Sequence, residues 1–504
     1  MMDDASVFDR PYNPGVRRAL WTLVLAALSA CSAPSIPCVP PESAPIPHLP
    51  AASSNAVRAE NAALGAVDWQ ITKPAEHGEV EGFVAEPSIA AGEPVHFFVR
   101  TASSSTFTVE IWRLGWYGGA GGRRVAGPET FARVEQPLPR IEPEVNTIHC
   151  DWSVSATIAG DRRWVTGIYL AKLRAASGHE RYAPFVVRDD QAVGGVMFQT
   201  SLTTSLAYND WGGWSSYGDG GRRSKKTSLD RPFTRGNGAG DFFMYEIPVL
   251  RFLEREGVPV NYVNNLDVHR HGERVAAQRL FLSVGHDEYW SLEMREALEQ
   301  ARDQGVSLGF FSANVGYWSV RFEPNDRGAP DRVMVTYKED AARQDPYYKD
   351  GAHHQRSSGR FRDAPIDRPE KLLIGEQYQT GIWGFTADWT ERNPGHWLME
   401  GTGLKEGDTL PGLVGGEGDQ REPDAPSCVT LLGSTDITTS KGRTGKAETT
   451  IYASDSGAWV FAWGSFNLGF GLDTFAEPNT DPTRDSAAAK QIVRNFLARV
   501  YSTP

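Results

Sequence analysis

The chain has 504 residues and a formal net charge of −12, with 63 acidic and 51 basic side chains. Charges of both signs are interspersed, and the basic face that nucleic-acid-binding proteins carry is missing from the pattern, so we exclude nucleic acid as a partner. About 440 residues remain after the N-terminal segments described next, which is enough for two or three domains.

The N-terminus, residues 1–31, has the pattern of a lipoprotein signal peptide. Arg17 and Arg18 precede an apolar run, and Ala30 stands immediately before Cys31. Lipoprotein processing requires a small residue followed by a cysteine thiol that takes the lipid, so Cys31 is the predicted lipidation site. The apolar run is too short to span a bilayer. We therefore predict a lipid-anchored protein of the cell envelope that faces the periplasm or the exterior.

The next segment, residues 32–65, is rich in Pro, Ala and Ser. It contains too little apolar material to pack, and we predict a disordered tether. The folded part is expected to start near Ala66.

Residues 66–190 are predicted to form an immunoglobulin-like β-sandwich. Short β-branched and aromatic runs alternate with turn residues and predict strands at 95–101, 106–114, 168–173 and 185–187. The glycine-rich run 115–122 follows a strand but opens no helix. It is therefore predicted to be a tight strand connection and not a dinucleotide-binding loop.

Residues 191–504 are predicted to form an α/β domain with a β-rich C-terminal part. Strands are expected at 195–198, 258–263, 279–284 and 306–312, and helices at 241–256, with Pro248 as a kink, and at 291–303. Alternating strands and helices indicate a parallel sheet, here resembling the class I glutamine amidotransferase-like fold. Further strands are predicted at 333–337, 371–377, 450–452 and 459–463, and a terminal helix at 483–501.

Three adjacent ionisable side chains, His286, Asp287 and Glu288, follow the predicted strand 279–284. Parallel sheets usually place their chemistry at the carboxyl ends of their strands, and histidine and carboxylates are typical acid–base groups. A structural role rarely needs three such groups together at a strand end. The sequence therefore predicts a functional site here.

Several motifs, in order from about residue 68 to the C-terminus, resemble the large (beta) subunit family of N,N-dimethylformamidase. The chain carries Ile111-Trp112-Arg113-Leu114-Gly115-Trp116-Tyr117-Gly118-Gly119-Ala120-Gly121, Asp151-Trp152-Ser153-Val154, Gly167-Ile168-Tyr169-Leu170-Ala171-Lys172-Leu173, Ala207-Tyr208-Asn209-Asp210-Trp211-Gly212-Gly213 and Val284-Gly285-His286-Asp287-Glu288-Tyr289-Trp290.

The resemblance implies an iron-dependent hydrolase of a small amide. In the characterised amidase two tyrosines and one glutamate hold a mononuclear iron, and the matching positions here are Tyr169, Tyr208 and Glu288. The catalytic histidine of that enzyme matches His286. Two phenolates and a carboxylate are hard oxygen donors that balance the charge of Fe³⁺, which acts as a Lewis acid on an amide. The resemblance also implies a separate small subunit, with a homo-oligomer as the alternative.

Two other hypotheses come from the residues. A hydrolase with a cysteine nucleophile is disfavoured, because neither Cys150 nor Cys428 follows an apolar strand. The non-enzymatic alternative is an envelope lipoprotein whose sandwich and tryptophan-rich surfaces bind a glycan or a protein partner. Export would permit a disulfide between Cys150 and Cys428, which the sequence leaves open.

Overall fold

The computed structural model describes residues 55–218, 223–425, 428–473, 475 and 484–502. The predicted signal peptide, Cys31 and most of the predicted tether lie outside these residues. The fold is mixed α and β, with several separate sheets. No helix in the described ranges has the length and apolar content needed to cross a membrane.

The strands have the following bounds: β1 Val80–Val84, β2 Ser88–Ala90, β3 Val95–Thr101, β4 Thr106–Leu114, β5 Gly122–Ala132, β6 Arg140–Glu142, β7 Thr147–His149, β8 Ala156–Ile158, β9 Gly167–Ala175, β10 Glu180–Arg188, β11 Val196–Thr200, β12 Lys226–Ser228, β13 Val260–Asn264, β14 Leu280–Val284, β15 Tyr289–Ser291, β16 Ser307–Phe311, β17 Trp318–Glu323, β18 Val333–Val335, β19 Gln377–Thr390, β20 Thr409–Gln420, β21 Thr430–Thr438, β22 Thr444–Ala453 and β23 Trp459–Ala462.

The α-helices have the following bounds: α1 Ala56–Asn61, α2 Leu202–Tyr208, α3 Phe242–Tyr245, α4 Ile247–Arg255, α5 Asn265–His271, α6 Leu292–Asp303, α7 Ala341–Gln344, α8 Lys371–Ile374, α9 Leu468–Leu472 and α10 Ala487–Ser502.

Two sheets at the N-terminal end share one hydrophobic core, and we call them the N-terminal sheet pair. One has the order β1-β3-β8 and the other the order β2-β10-β9-β4-β5. Buried and half-buried residues alternate strictly along β3, the period expected when one face of a strand points into a core. The predicted strands 95–101 and 106–114 are confirmed. The run 115–122 is the tight connection between β4 and β5, as predicted.

The central sheet has seven strands in the order β13-β11-β14-β16-β23-β22-β21. The first five strands are parallel to one another. β22 runs antiparallel to β23, and β21 runs antiparallel to β22. Every residue of β14 is buried, as expected for a strand covered on both faces. Leu282 contributes to the core that includes α4 and α10, whereas Phe281 contributes to the core that includes α6. The predicted parallel sheet with helices on both faces is therefore confirmed.

Two smaller sheets complete the C-terminal part. A four-stranded sheet has the order β12-β18-β17-β15, and β19 and β20 form a long two-stranded ribbon. Apolar residues of the ribbon and of β21 and β22 belong to the same hydrophobic core. This ribbon brings a long segment from near the C-terminus close to the central sheet.

Two predicted elements differ in the structure. The segment predicted as a strand at 371–377 is the helical turn α8, which ends at Gly375 with a φ of +92°, before β19 begins. Glycine adopts this left-handed conformation without a Cβ clash. The predicted helix 241–256 is divided into α3 and α4 at Glu246, and Pro248 lies in the first turn of α4, where its missing N–H is tolerated.

The predicted tether ends earlier than residue 65. Asn55 caps α1 by accepting hydrogen bonds from the backbone N–H groups of Val57 and Arg58, and Val57 is buried. Asn61 Nδ2 donates to Glu254 Oε2 at 2.6 Å, which fixes α1 on α4. Residues 55–61 are therefore part of the folded body.

The permitted disulfide between Cys150 and Cys428 is not formed, because Cys150 is a free and buried thiol. Its side chain packs in a small core with Phe83 and Trp152. Burial raises the pKa of this thiol, so it is uncharged at neutral pH.

A buried ion pair joins the N-terminal sheet pair to α4. The Arg113 guanidinium on β4 bonds both carboxylate oxygens of Glu254, with Nη2–Oε1 at 2.7 Å and Nη1–Oε2 at 3.0 Å. Both side chains have no solvent exposure. Tyr262 on β13 donates a further hydrogen bond to Glu254 at 2.9 Å, so three elements meet at this carboxylate.

Candidate functional site

The turn after β14 directs His286 and Glu288 to the carboxyl edge of the central sheet. Gly285 opens this turn with a φ of +82°, and a Cβ at this position would meet Glu246 Cγ at 2.9 Å. Glycine is therefore required for both conformation and space. The chain then enters β15 at Tyr289, which leaves His286, Asp287 and Glu288 in the short link between two strands.

Asp287, the middle residue of the three, holds the turn in place. Its carboxylate accepts hydrogen bonds from Gln199 at 2.7 Å, Asn265 at 2.8 Å and Ser283 at 2.8 Å, and it is fully buried. Burial raises the pKa of Asp287, although these hydrogen bonds oppose the shift. This residue is structural, so two of the three adjacent ionisable groups remain for chemistry.

Two tyrosine hydroxyls converge on Glu288. Tyr208, the last residue of α2, donates to Glu288 Oε2 at 3.3 Å, and Tyr217 donates to the same oxygen at 3.0 Å. The two phenol rings are stacked with centroids 4.1 Å apart. Tyr208 and Glu288 meet at one edge of the central sheet, because β11 and β14 are parallel neighbours.

A buried arginine shapes the loop that carries the two tyrosines. Arg231 donates to the backbone carbonyls of Asn209, Trp211 and Trp214 at 2.8 to 3.1 Å. Because backbone carbonyls in a buried loop need partners, this guanidinium replaces the hydrogen bonds that a helix would have supplied. The loop thereby places Tyr217 back against Tyr208.

Tyr169, predicted as a metal ligand, lies elsewhere. It is buried in the core of the N-terminal sheet pair, where its hydroxyl donates to the Val165 carbonyl at 2.7 Å. Its ring packs on Trp164 and Phe185, and burial raises its pKa. As a residue inside strand β9, it faces the core, whereas Tyr217 is the second tyrosine that contacts Glu288.

His286 lies between two carboxylates. Its Nε2 is 3.4 Å from Glu288 Oε2 and 3.3 Å from Glu417 Oε2. Its ring packs on that of Phe466, with the two ring centroids 4.4 Å apart. These separations are those of ion pairs, and within the described part of the chain neither His286 Nε2 nor Glu417 Oε2 has an aligned hydrogen-bond partner. Burial lowers the pKa of His286, but Glu417 and Glu288 outweigh burial and raise it above its ordinary value.

Lys338 adds a positive charge next to the ring of Tyr217. Its Nζ lies 3.5 Å from the centroid of the Tyr217 ring and 5.0 Å from that of Trp318, which is the geometry of a cation–π contact. Its backbone has a φ of +55°. Burial lowers the pKa of Lys338 to about 8, although Glu288 opposes the shift.

The cluster is nearly closed to solvent and rich in oxygen donors. The side chains of His286, Glu288 and Glu417 are only 9%, 5% and 13% exposed, so solvent has little access to them. Burial, followed by the charge of Glu288, raises the pKa of Tyr208 and of Tyr217 well above its ordinary value. Burial also raises the pKa of Glu288, and Glu417 adds to the shift, while His286 opposes it.

The donor set suits a hard cation. Among the residues that the structure describes, no three His, Cys, Asp or Glu side chains are grouped to hold a metal, so a centre here would use tyrosine oxygens. The phenol oxygens of Tyr208 and Tyr217 lie 3.3 and 3.0 Å from Glu288 Oε2. Metal–oxygen bonds of about 2.0 to 2.1 Å at right angles place neighbouring oxygens about 2.9 Å apart, so this spacing is close to that of one ligand shell.

Sequence reasoning missed three residues of the cluster, namely Tyr217, Lys338 and Glu417. Tyr217 is only nine residues after Tyr208, and two tyrosines in a short loop were a usable signal. Glu417 on β20 stands between Gly416 and Gly418, a weak signal at best. Lys338 follows β18 with no motif around it.

Comparison with known families shows which family this chain resembles. A family model described as N,N-dimethylformamidase beta subunit-like, C-terminal, matches residues 108–483. The matched range contains every residue of the cluster described above. No curated protein matches the chain.

Proposed function

We propose that this chain, which belongs to the N,N-dimethylformamidase beta subunit-like family, is an iron-dependent hydrolase of a small amide. The family suggests an amide hydrolase-like function in general terms. The observation that carries the more specific proposal is the convergence of Tyr208, Tyr217 and Glu288, with His286 beside them. The nearly closed surroundings favour a small substrate.

In this proposal Tyr208, Tyr217 and Glu288 hold a mononuclear ferric ion. When bound, such an ion acts as a Lewis acid that polarises an amide carbonyl and lowers the pKa of bound water. The tyrosines must lose their protons to bind it. The phenols that now donate to Glu288 carry the protons that the cation would displace, and Lys338 beside Tyr217 offsets part of the added negative charge.

His286 and Glu417 would move the protons of the hydrolysis. His286 Nε2 faces both Glu288 and Glu417, and the charges of these carboxylates raise the pKa of the imidazole above its ordinary value. A protonated His286 can give its proton to the leaving nitrogen, and Glu417 can accept a proton from the attacking water. Phe466 packs on the imidazole ring and limits its rotation.

The metal proposal is tested by iron content. Tyr217→Phe, Tyr208→Phe and Glu288→Ala are each expected to remove most of the bound iron, because each removes one oxygen donor. Tyr169→Phe is the matched control, since it deletes a hydroxyl that donates to the Val165 carbonyl, away from the cluster. Iron is measured by elemental analysis of the purified protein, with the visible phenolate-to-iron absorption band as a second readout. If Tyr169→Phe loses iron while Tyr217→Phe keeps full iron occupancy, Tyr169 and not Tyr217 is the ligand. A metal-free wild type without turnover would favour the non-catalytic binding protein.

We further propose that the protein is a lipid-anchored envelope protein. The support is the sequence pattern around Cys31, which the described residues do not include. Cys31→Ser is expected to leave the protein unlipidated, and fractionation with mass spectrometry of the N-terminal peptide measures this. A wild-type protein that is unmodified and free of the membrane would show that the proposed anchor is wrong.

Two further proposals concern the fold of the two parts of the chain and the assembly of the protein. We propose that residues 66–190 are an immunoglobulin-like sandwich and that residues 191–504 are related to class I glutamine amidotransferases. The shared core of the N-terminal sheet pair and the five parallel strands support this. Because the family description names a beta subunit, a separate small subunit is the proposed partner, with a homo-oligomer as the alternative.

A further inference from the structure

Arg235 lies against the ring of Tyr208, and the proposed reaction gives it no task. Its Cζ is 5.1 Å from the centroid of that ring, which is within the roughly 6 Å of a cation–π contact. Its Nη1 donates to both carboxylate oxygens of Asp241, at 3.2 and 3.4 Å. Because an arginine side chain keeps its proton in proteins, Tyr208 has a permanent positive charge beside it.

The chain brings Arg235 to this position through Asn209, the residue that follows Tyr208. The Asn209 side chain is buried, and its Oδ1 accepts a hydrogen bond from the Thr234 backbone N–H at 3.1 Å. Its Nδ2 donates to the Pro232 carbonyl at 2.9 Å. These two bonds tie the segment before Arg235 to the end of α2. The place of Arg235 relative to Tyr208 is therefore set by backbone contacts as well as by its own side chain.

The other tyrosine of the site also has a cation over its ring. Lys338 Nζ is 3.5 Å from the centroid of the Tyr217 ring, and the rings of Tyr217 and Tyr208 are stacked with centroids 4.1 Å apart. Arg235, Tyr208, Tyr217 and Lys338 thus form one continuous series of contacts. Two stacked phenolates repel each other, since like charges close together are unfavourable. A cation over each ring offsets this repulsion.

Stability alone gives a weak reason for Arg235 to lie here. Its side chain is 42% exposed and that of Asp241 is 10% exposed, and ion pairs with a partner this open to solvent contribute little. The pair has no net charge, so its effect on more distant groups is small. The guanidinium itself is the part that faces the Tyr208 ring, and its influence is therefore concentrated on this one tyrosine.

We propose that Arg235 is a positioning residue for Tyr208: it holds the phenol ring in place and stabilises the negative charge of the phenolate when this tyrosine binds iron. The role of Tyr208 as an iron ligand rests on the proposed function. Asp241 in turn holds the guanidinium. A positive charge beside a phenolate lowers the energy of its electrons. The phenolate-to-iron absorption band therefore lies at a shorter wavelength with Arg235 than without it.

Two substitutions at Arg235 separate the effect of its charge from that of its packing. Arg235→Met keeps an unbranched apolar stem without the charge, and it is expected to weaken iron binding by roughly 2- to 30-fold, the range that a cation–π contact spans. It should also move the phenolate-to-iron band to longer wavelength. Arg235→Lys keeps the charge and should recover most of both properties. Competition with an iron chelator measures the affinity, and absorption spectra of the loaded protein measure the band.

Arg124→Met is the matched control. Arg124 also pairs with a carboxylate, that of Glu110 at 3.2 Å, and its Cζ also lies over an aromatic ring, 5.8 Å from the centroid of Trp112. These residues belong to the N-terminal sheet pair and not to the site. The control should therefore keep the iron affinity and the absorption band of the wild type.

A measurement on metal-free protein separates this inference from the proposed function. The full chain is labelled with fluorotyrosine and treated with a chelator, and the fluorine NMR signal of Tyr208 is identified by its absence in Tyr208→Phe. This signal is expected to move in Arg235→Met and to stay near its wild-type position in Arg235→Lys and in Arg124→Met.

The two proposals fail in different ways. A wild type that binds no iron would contradict the hydrolase, and the fluorine signal would then decide whether Arg235 acts on Tyr208. An unmoved signal in Arg235→Met, or unchanged iron affinity and band in that variant, would overturn the positioning role. Arg235→Lys as impaired as Arg235→Met would also overturn it, because the charge would then have no part in the effect.

Discussion

Replacing His286 with alanine is expected to lower kcat/KM for a small amide by roughly 10²- to 10⁴-fold, the usual loss when an acid–base group is removed. Iron content and folding should survive, because His286 is not among the three proposed ligands. The imidazole lies 3.3 Å from Glu417 and 3.4 Å from Glu288, so it can move a proton without holding the metal. Steady-state kinetics and elemental analysis on the same preparation measure both properties.

Glu288→Ala separates this role from that of a ligand, since it should lose turnover and iron together. Glu417→Gln should lose turnover and keep iron, like His286→Ala. If His286→Ala loses iron as completely as Glu288→Ala, the histidine is itself a ligand. If it retains full turnover, the imidazole is structural and the proposed hydrolase lacks its proton donor.

Breaking the buried Arg113–Glu254 pair is expected to destabilise the protein more than any surface change. Glu254→Ala leaves the Arg113 guanidinium buried and unpaired, and the loss of one partner of such a pair costs roughly 3–5 kcal/mol. The two hydrogen bonds at 2.7 and 3.0 Å and the absence of solvent exposure place the pair in this class. The midpoint of urea unfolding, followed by tryptophan fluorescence, measures the change.

Two variants sharpen this test. Arg124→Ala removes a partly exposed pair with Glu110 between the neighbouring strands β4 and β5, and it should cost less than about 1 kcal/mol. The double variant Arg113→Met with Glu254→Leu removes both charges and should recover part of the stability lost in Glu254→Ala, since Tyr262 and Asn61 still lose their acceptor. An equal cost for Glu254→Ala and Arg124→Ala would show that the buried pair has no special role.

The part of the site that could be predicted from sequence is local. His286 and Glu288 follow a run of buried apolar residues, and Tyr208 follows the neighbouring parallel strand, so strand order brings them together. Tyr169 shows the limit of this reasoning. A motif match places it near a ligand position, but a tyrosine inside a strand of a closed core points into that core.

The residues that were missed come from segments whose position depends on long-range packing. Glu417 reaches His286 because the β19–β20 ribbon packs on β21 and β22, a contact that no local pattern predicts. The mistaken strand at 371–377 has a similar origin. Buried Leu373 and Ile374 favour a strand by composition, whereas Gly375 ends a helical turn there. The strands of the N-terminal sheet pair were easier to predict from sequence, because the alternation of core-facing and outward-facing residues along a strand is a local pattern.

The position of β23 in the chain means that the central sheet is completed late in biosynthesis. This strand is inserted between β16 and β22, yet it follows both Glu288 and Glu417 along the chain. A nascent chain that ends before β20 carries both tyrosines and Glu288 but lacks Glu417, and its central sheet still has an open edge at β16. Chains grow from the N-terminus, so such an intermediate exposes unpaired strand groups. A prematurely terminated chain would therefore keep the three proposed ligands but have neither a closed central sheet nor Glu417, the proposed proton acceptor.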